Sequence, residues 1–111
     1  MLFRSGDLVF DSTHERTRWQ QLLLLEASGE ITGLKRQVKY ELIPAQFSKT
    51  EKTKKGNPKC IERAVSYIAD FTYEDESGQL IVEDAKGFKT TEYRIKKKLM
   101  LLVHWVEIKE V

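Results

Sequence analysis

The chain has 111 residues, 41% hydrophobic and 32% charged, with one cysteine and a formal net charge of +2. That is enough for one domain spanning 1–111, whose core needs no disulfide or metal staple. Cys60 has no second cysteine to pair with, and no Cys/His spacing matches a zinc site.

In chain order, Ser12 followed three residues later by Glu15 matches a capping box. Trp19, Leu22, Leu23 and Ala27 recur at helical spacing up to Ser28-Gly29, so a helix is predicted over 13–27. Glu30 to Gly33 reads as a turn, and Val38 to Ile43 alternates as a strand that stops at Pro44. Residues 48–59 carry no apolar side chain and include Gly56 and Pro58, which predicts a mobile basic loop; a solvated hairpin tip is the alternative. Extended, this segment would reach roughly 35 to 40 Å, enough to follow several phosphates of a duplex.

Ile61 to Tyr73 is rich in β-branched and aromatic residues, Asp75 to Gly78 supplies turn chemistry, and 80–86 completes an antiparallel hairpin. Thr90 or Thr91 caps a helix running to about Leu102, with Tyr93, Lys97 and Met100 on one stripe and Ile95, Leu99 and Leu102 on another. A final strand is predicted over 105–111. The expected class is α/β, a mixed β-sheet flanked by helices in the order α-β-β-β-α-β, with a right-handed crossover joining strand 80–86 to the last strand. The longest apolar runs, 22–25 and 99–103, are far shorter than the roughly 18 residues of a membrane span, and residues 1–7 do not resemble a signal peptide. A cytoplasmic protein that avoids membranes is expected.

Charge is unevenly distributed. Residues 49–59 carry Lys49, Lys52, Lys54, Lys55 and Lys59 against Glu51, and residues 86–98 carry Lys86, Lys89, Arg94, Lys96, Lys97 and Lys98 against Glu92. Between them Asp70, Glu74, Asp75, Glu76, Glu83 and Asp84 have no base among them. Lysine arms suit a phosphate backbone and clustered carboxylates suit a hard divalent cation, whereas the bland alternative is a solvated surface of mixed sign.

Side chains alternate along a strand, so Asp84 and Lys86 share a face about 7 Å apart while Glu83 points the other way. Hairpin pairing brings Asp70 alongside Asp84. Two carboxylates that close repel unless a cation lies between them, and Mg²⁺ takes one or two carboxylates and leaves room for phosphate oxygen. Such an ion polarises a phosphodiester and acidifies water.

Ile68-Ala69-Asp70-Phe71 and Val82-Glu83-Asp84-Ala85-Lys86-Gly87, with 13 residues between the aspartates, resemble the PD-(D/E)XK nuclease superfamily. The phrases Phe10-Asp11-Ser12 with Glu15, Glu41-Leu42-Ile43-Pro44, Tyr67 to Phe71, and Glu92-Tyr93 with Ile95-Lys96 look more closely like a family of small phage-encoded proteins placed in that superfamily. The resemblance covers nearly the whole chain. It implies a restriction-endonuclease-like core and a Mg²⁺- or Mn²⁺-dependent endodeoxyribonuclease acting on branched or structured DNA, like a Holliday-junction resolvase, in phage replication or recombination. It also implies Asp70, Asp84 and the Ala85 carbonyl as metal ligands, Lys86 at the attacking water or the developing charge, and Glu15 completing the acidic cluster. Ala69 stands where the superfamily name has proline, and Asp84 replaces the more usual glutamate. Paired cuts require two active sites, hence a homodimer. Lys49, Lys52, Lys54, Lys55, Lys89, Tyr93, Lys96 and Lys97 are the expected DNA contacts.

Each assignment has a structural competitor. Glu15 can serve the capping box alone, Asp84 and Lys86 can form an ion pair worth about 0 to 1 kcal/mol, and Tyr93, Lys96 and Lys97 can be a solvated face. His14 and His104 read as surface or structural residues, and Trp19 and Trp105 as core or interface aromatics. The competing functions are a non-catalytic DNA-binding module on the same fold and a protein-binding factor with no salt-dependent DNA affinity.

Overall fold

A computed structural model describes residues 3–5, 8–85 and 88–111. The elements in chain order are β1 (Phe3–Ser5), β2 (Leu8–Phe10), α1 (Thr13–Ala27), β3 (Thr32–Ile43), β4 (Gln46–Lys52), β5 (Pro58–Glu62), β6 (Val65–Glu74), β7 (Leu80–Asp84), α2 (Thr91–His104) and β8 (Lys109–Glu110). The class is mixed α/β. A four-stranded mixed sheet has the order β3-β6-β7-β8, antiparallel at its first two pairings and parallel between β7 and β8. With the hairpins β1-β2 and β4-β5 set aside, the chain runs α1-β3-β6-β7-α2-β8, the predicted order.

Helix α1 has the predicted bounds, with Ser12 Oγ accepting from Glu15 N at 3.1 Å and Gly29, at φ 83°, just beyond the C-cap. Thr90 caps α2 through Tyr93 N, and Trp105 closes it in the left-handed region at φ 60°. The turn from Asp75 to Gly78 forms as expected: Asp75 Oδ1 accepts from Ser77 N and Gln79 N, and Gly78 takes a positive φ.

The sheet differs from the prediction in four places. β3 begins at Thr32, so the segment read as a turn already runs into a strand. The stretch read as one strand from Ile61 splits at Arg63-Ala64 into β5 and β6. The last strand contracts to two residues. Residues 48–59 form the solvated hairpin that stood as the alternative to a mobile loop: β4 and β5 pair antiparallel around a turn in which Thr53 N bonds Asn57 O and Gly56 N bonds Thr53 O, while Ser48 Oγ accepts from Thr50 N and Glu51 N. Every residue from Lys49 to Ala64 is exposed, so backbone pairing and side-chain caps hold the hairpin without a core.

Two buried clusters flank the sheet. One contains Phe10, Trp19, Leu22, Ile31, Phe71, Tyr73 and Ala85; the other contains Leu42, Tyr67, Ala69, Val82, Tyr93, Met100 and Ile108. Odd-numbered residues of β6 therefore serve both, with the change between Ala69 and Phe71. On β3, Leu34 packs with the first cluster and Tyr40 with the second. Gln37, bracketed by the pairs Arg36↔Phe71 and Val38↔Ala69, sits at this crossing in the left-handed region at φ 55°. Directly across from it is Asp70.

Candidate functional site

The pairing of β6 with β7 runs from Glu74↔Leu80 to Phe71↔Glu83, and one further step sets Asp70 against Asp84. Both are buried, at 6% and 1% exposure, Asp70 between Ala69 and Phe71 and Asp84 between Glu83 and Ala85. The backbone and a phenol hold them. Ala85 N donates to Asp70 Oδ2 at 2.8 Å, and Tyr67 Oη donates to Asp84 Oδ2 at 2.6 Å. Burial, then the bond and charge of Asp84, push the Tyr67 phenol far above its ordinary range, so it stays a donor. Burial first, then the bond to Glu110 and the charge of Asp84, push up the phenol of Tyr93, whose ring centroid is 6.4 Å from that of Tyr67. Two carboxylates and two phenols thus share one patch.

Glu83 turns the other way, as alternation requires. Fully buried, it receives Arg18 Nε and Nη2 on its two oxygens at 2.7 Å each, and the Tyr73 hydroxyl as well. A buried carboxylate is tolerable only when paired in this way. The bond to Glu83 holds the Arg18 guanidinium above its usual range, and burial followed by the Glu83 bond pushes Tyr73 from 10.0 up to about 12. Since the folded state favours the protonated phenol, its contribution to stability is complete below about pH 10 and is lost as pH rises through about 12. Urea unfolding across that interval is expected to show falling stability, with a shallower fall in Tyr73→Phe; an unchanged slope would contradict this linkage.

Glu15 is buried in a cleft of about 210 Å³ with Val9, Asp11, Arg36 and Gln37, where Arg36 Nη2 lies 3.7 Å from Oε1 and Gln37 Nε2 donates to the same oxygen at 3.3 Å. Arg36 stacks over Phe10 at 4.1 Å, fixing that cation between α1 and β3. Among the described residues no group of three Asp, Glu, His or Cys side chains stands ready to hold a metal ion. Lys86, the remaining residue of the motif, lies outside the described residues, as does Gly87.

The expected DNA contacts fall into two regions. Lys49, Lys52, Lys54 and Lys55 are exposed along the β4-β5 hairpin. Lys89, Tyr93 and Lys97 line a cleft at α2 and β8, while Lys96 is in the adjoining cleft with Tyr67 and Thr90 and pairs with Glu92 at 2.9 Å. Trp19 is core, stacked on Phe71 at 5.8 Å between centroids; Trp105 is 88% exposed. His14 and His104 donate to the carbonyls of Val111 and Glu41, as structural residues do.

Sequence reading passed over Tyr67, Arg18, Arg36 and Glu110. Arg18 carried a signal, since it precedes Leu22 by four residues and a carboxylate in an apolar strand requires a cation. Tyr67 carried one against it, because strict alternation places positions 67 and 70 on opposite faces.

No helix among the described residues is long and apolar enough to cross a membrane. No curated protein and no solved structure matches the chain. One family model does, over residues 4–111, and the chain accordingly belongs to the family described as "Protein of unknown function (DUF1064)".

Proposed function

We propose that this protein is a divalent-metal-dependent endodeoxyribonuclease with a restriction-endonuclease-like core, hydrolysing phosphodiester bonds of branched or structured DNA in phage replication or recombination. The observation that carries the reading is the pair of buried carboxylates, Asp70 and Asp84, opposed on adjacent antiparallel strands. The order α1-β3-β6-β7-α2-β8, with β8 parallel to β7, supports the core assignment. Junction preference rests on the resemblance to resolvases alone.

The donor set fits Mg²⁺ or Mn²⁺, since two carboxylates are what such a cation takes from protein, and two buried carboxylates on adjacent strands are eased by positive charge. When bound, the cation supplies Lewis-acid polarisation of the phosphodiester and acidifies water. The chain's own part is orientation: Tyr67 holds one Asp84 oxygen and the Ala85 amide holds one Asp70 oxygen, so neither carboxylate turns freely. Lys86 takes the role the motif gives it, beside the attacking water. The hairpin lysines track the backbone, and the exposed Trp105, Leu101 and Leu102 offer an apolar surface for the second copy that paired cuts require.

The test incubates purified protein with duplex, single-stranded and four-way-junction DNA in Mg²⁺, Mn²⁺ or EDTA. Cleavage only with metal, strongest on the junction, is expected. Salt-dependent binding without cleavage of any substrate would instead assign a non-catalytic DNA-binding module, and no salt-dependent binding would remove nucleic acid from the account.

A further inference from the structure

Three donors beside the acidic pair converge on one carboxylate. Tyr93 Oη donates to Glu110 Oε2 at 2.9 Å, Lys97 Nζ donates to Oε1 at 3.0 Å, and Lys89 Nζ lies 3.3 Å from Oε1. Around them is a cleft of about 380 Å³, also lined by Arg94, Lys98 and Glu107. Its four cationic side chains face two carboxylates, so the lining keeps a positive excess even with Glu110 in place. Lys89 and Lys97 are 45% and 39% exposed, which leaves them within reach of an incoming anion.

The geometry of these donors does not distinguish a carboxylate from a phosphate, because both present negatively charged oxygens to ammonium and hydroxyl groups. Bonds from Lys97 and Tyr93 hold the Glu110 carboxyl below the usual carboxylate range, so it is charged wherever the lysines are. Tyr93 also links the cleft to the catalytic patch, since its phenol feels both Asp70 and Asp84.

We propose that this cleft is a phosphate subsite for one backbone phosphate of the bound nucleic acid, and that Glu110 is its built-in counter-ion, which the phosphate displaces from Lys89 and Lys97. The proposal rests on the nucleic-acid reading above. A tethered carboxylate competes at high effective concentration, so an isolated anion is excluded while a polyanion anchored elsewhere on the chain is admitted. Glu110 thereby sets a threshold for occupancy.

The test measures binding of a short fluorescent duplex by anisotropy in EDTA across a range of salt concentrations, which removes catalysis from the readout. Glu110→Gln keeps an acceptor for Tyr93 and frees both lysines. It is expected to tighten binding several-fold at low salt and to steepen the log–log salt dependence by up to about 0.9, the increment for one phosphate more fully neutralised. Lys97→Gln, at a half-exposed side chain that folding tolerates, is expected to weaken binding several-fold and flatten the slope by about 0.9. Salt-dependent binding by the unaltered chain that neither substitution changes overturns the counter-ion assignment and leaves the nucleic-acid reading standing. Absence of salt-dependent binding in all three proteins overturns both.

Discussion

Asp84→Asn is expected to lower metal-dependent DNA cleavage by at least about a hundredfold while leaving DNA binding intact. Groups that merely orient a metal ligand already cost about ten- to a hundredfold when removed, so loss of a ligand's charge should exceed that range. Asparagine is the informative replacement. It preserves shape at a position only 1% exposed and still offers an oxygen to the Tyr67 hydroxyl, so folding is spared while the charge is deleted. Cleavage in Mg²⁺, binding in EDTA and the urea midpoint, measured on one preparation, separate the possibilities. Cleavage close to that of the unaltered chain, with a native midpoint, would remove the carboxylate pair from the chemistry.

Arg18→Ala is expected to destabilise the fold by about 3 kcal/mol, and so to lower the melting temperature by roughly 12 °C. The cost arises from what is left behind. Glu83 is fully buried and accepts both Arg18 bonds, so without the guanidinium its charge has only the Tyr73 hydroxyl for company among these partners. Arg18 is 19% exposed, so water can partly replace it, which sets the loss at the lower end of the range for broken buried pairs. Urea unfolding at neutral pH checks the figure, and the double variant Arg18→Ala with Glu83→Gln should recover part of the loss by removing the stranded charge. A single-variant loss below about 1 kcal/mol would show that the pair is solvated in solution.

Much of this was legible in the sequence because local rules and burial agreed. The capping box and helical spacing placed α1 to the residue, and the turn at Asp75 to Gly78 brought Asp70 to Asp84 by simple counting along two strands. Alternation separated Glu83 from Asp84 for the same reason. What escaped was what alternation and apolarity cannot encode. The β4-β5 hairpin is exposed throughout from Lys49 to Ala64, so apolarity could not choose between a mobile loop and a hairpin tip. Of the stripe Ile95, Leu99 and Leu102 in α2, Leu99 packs on the second cluster while Ile95 and Leu102 are exposed, and Tyr93 and Met100 are the fully buried residues of that helix. Glu15 matched two patterns at once, the capping box and the acidic cluster, and its side chain also meets Arg36 and Gln37 of the neighbouring strand, which neither pattern encodes. The partners of two carboxylates, one buried and one exposed, came from distant segments, Arg18 for Glu83 across 65 positions and Lys97 for Glu110 across 13, and only the folded chain reveals such pairings.

The meeting of the two buried clusters near Asp70 and Gln37 divides the sheet into halves with separate packing, one wedged by Trp19 and Leu22, the other by Tyr93 and Met100. Shortening an apolar side chain in one half is therefore expected to loosen that half more than its neighbour.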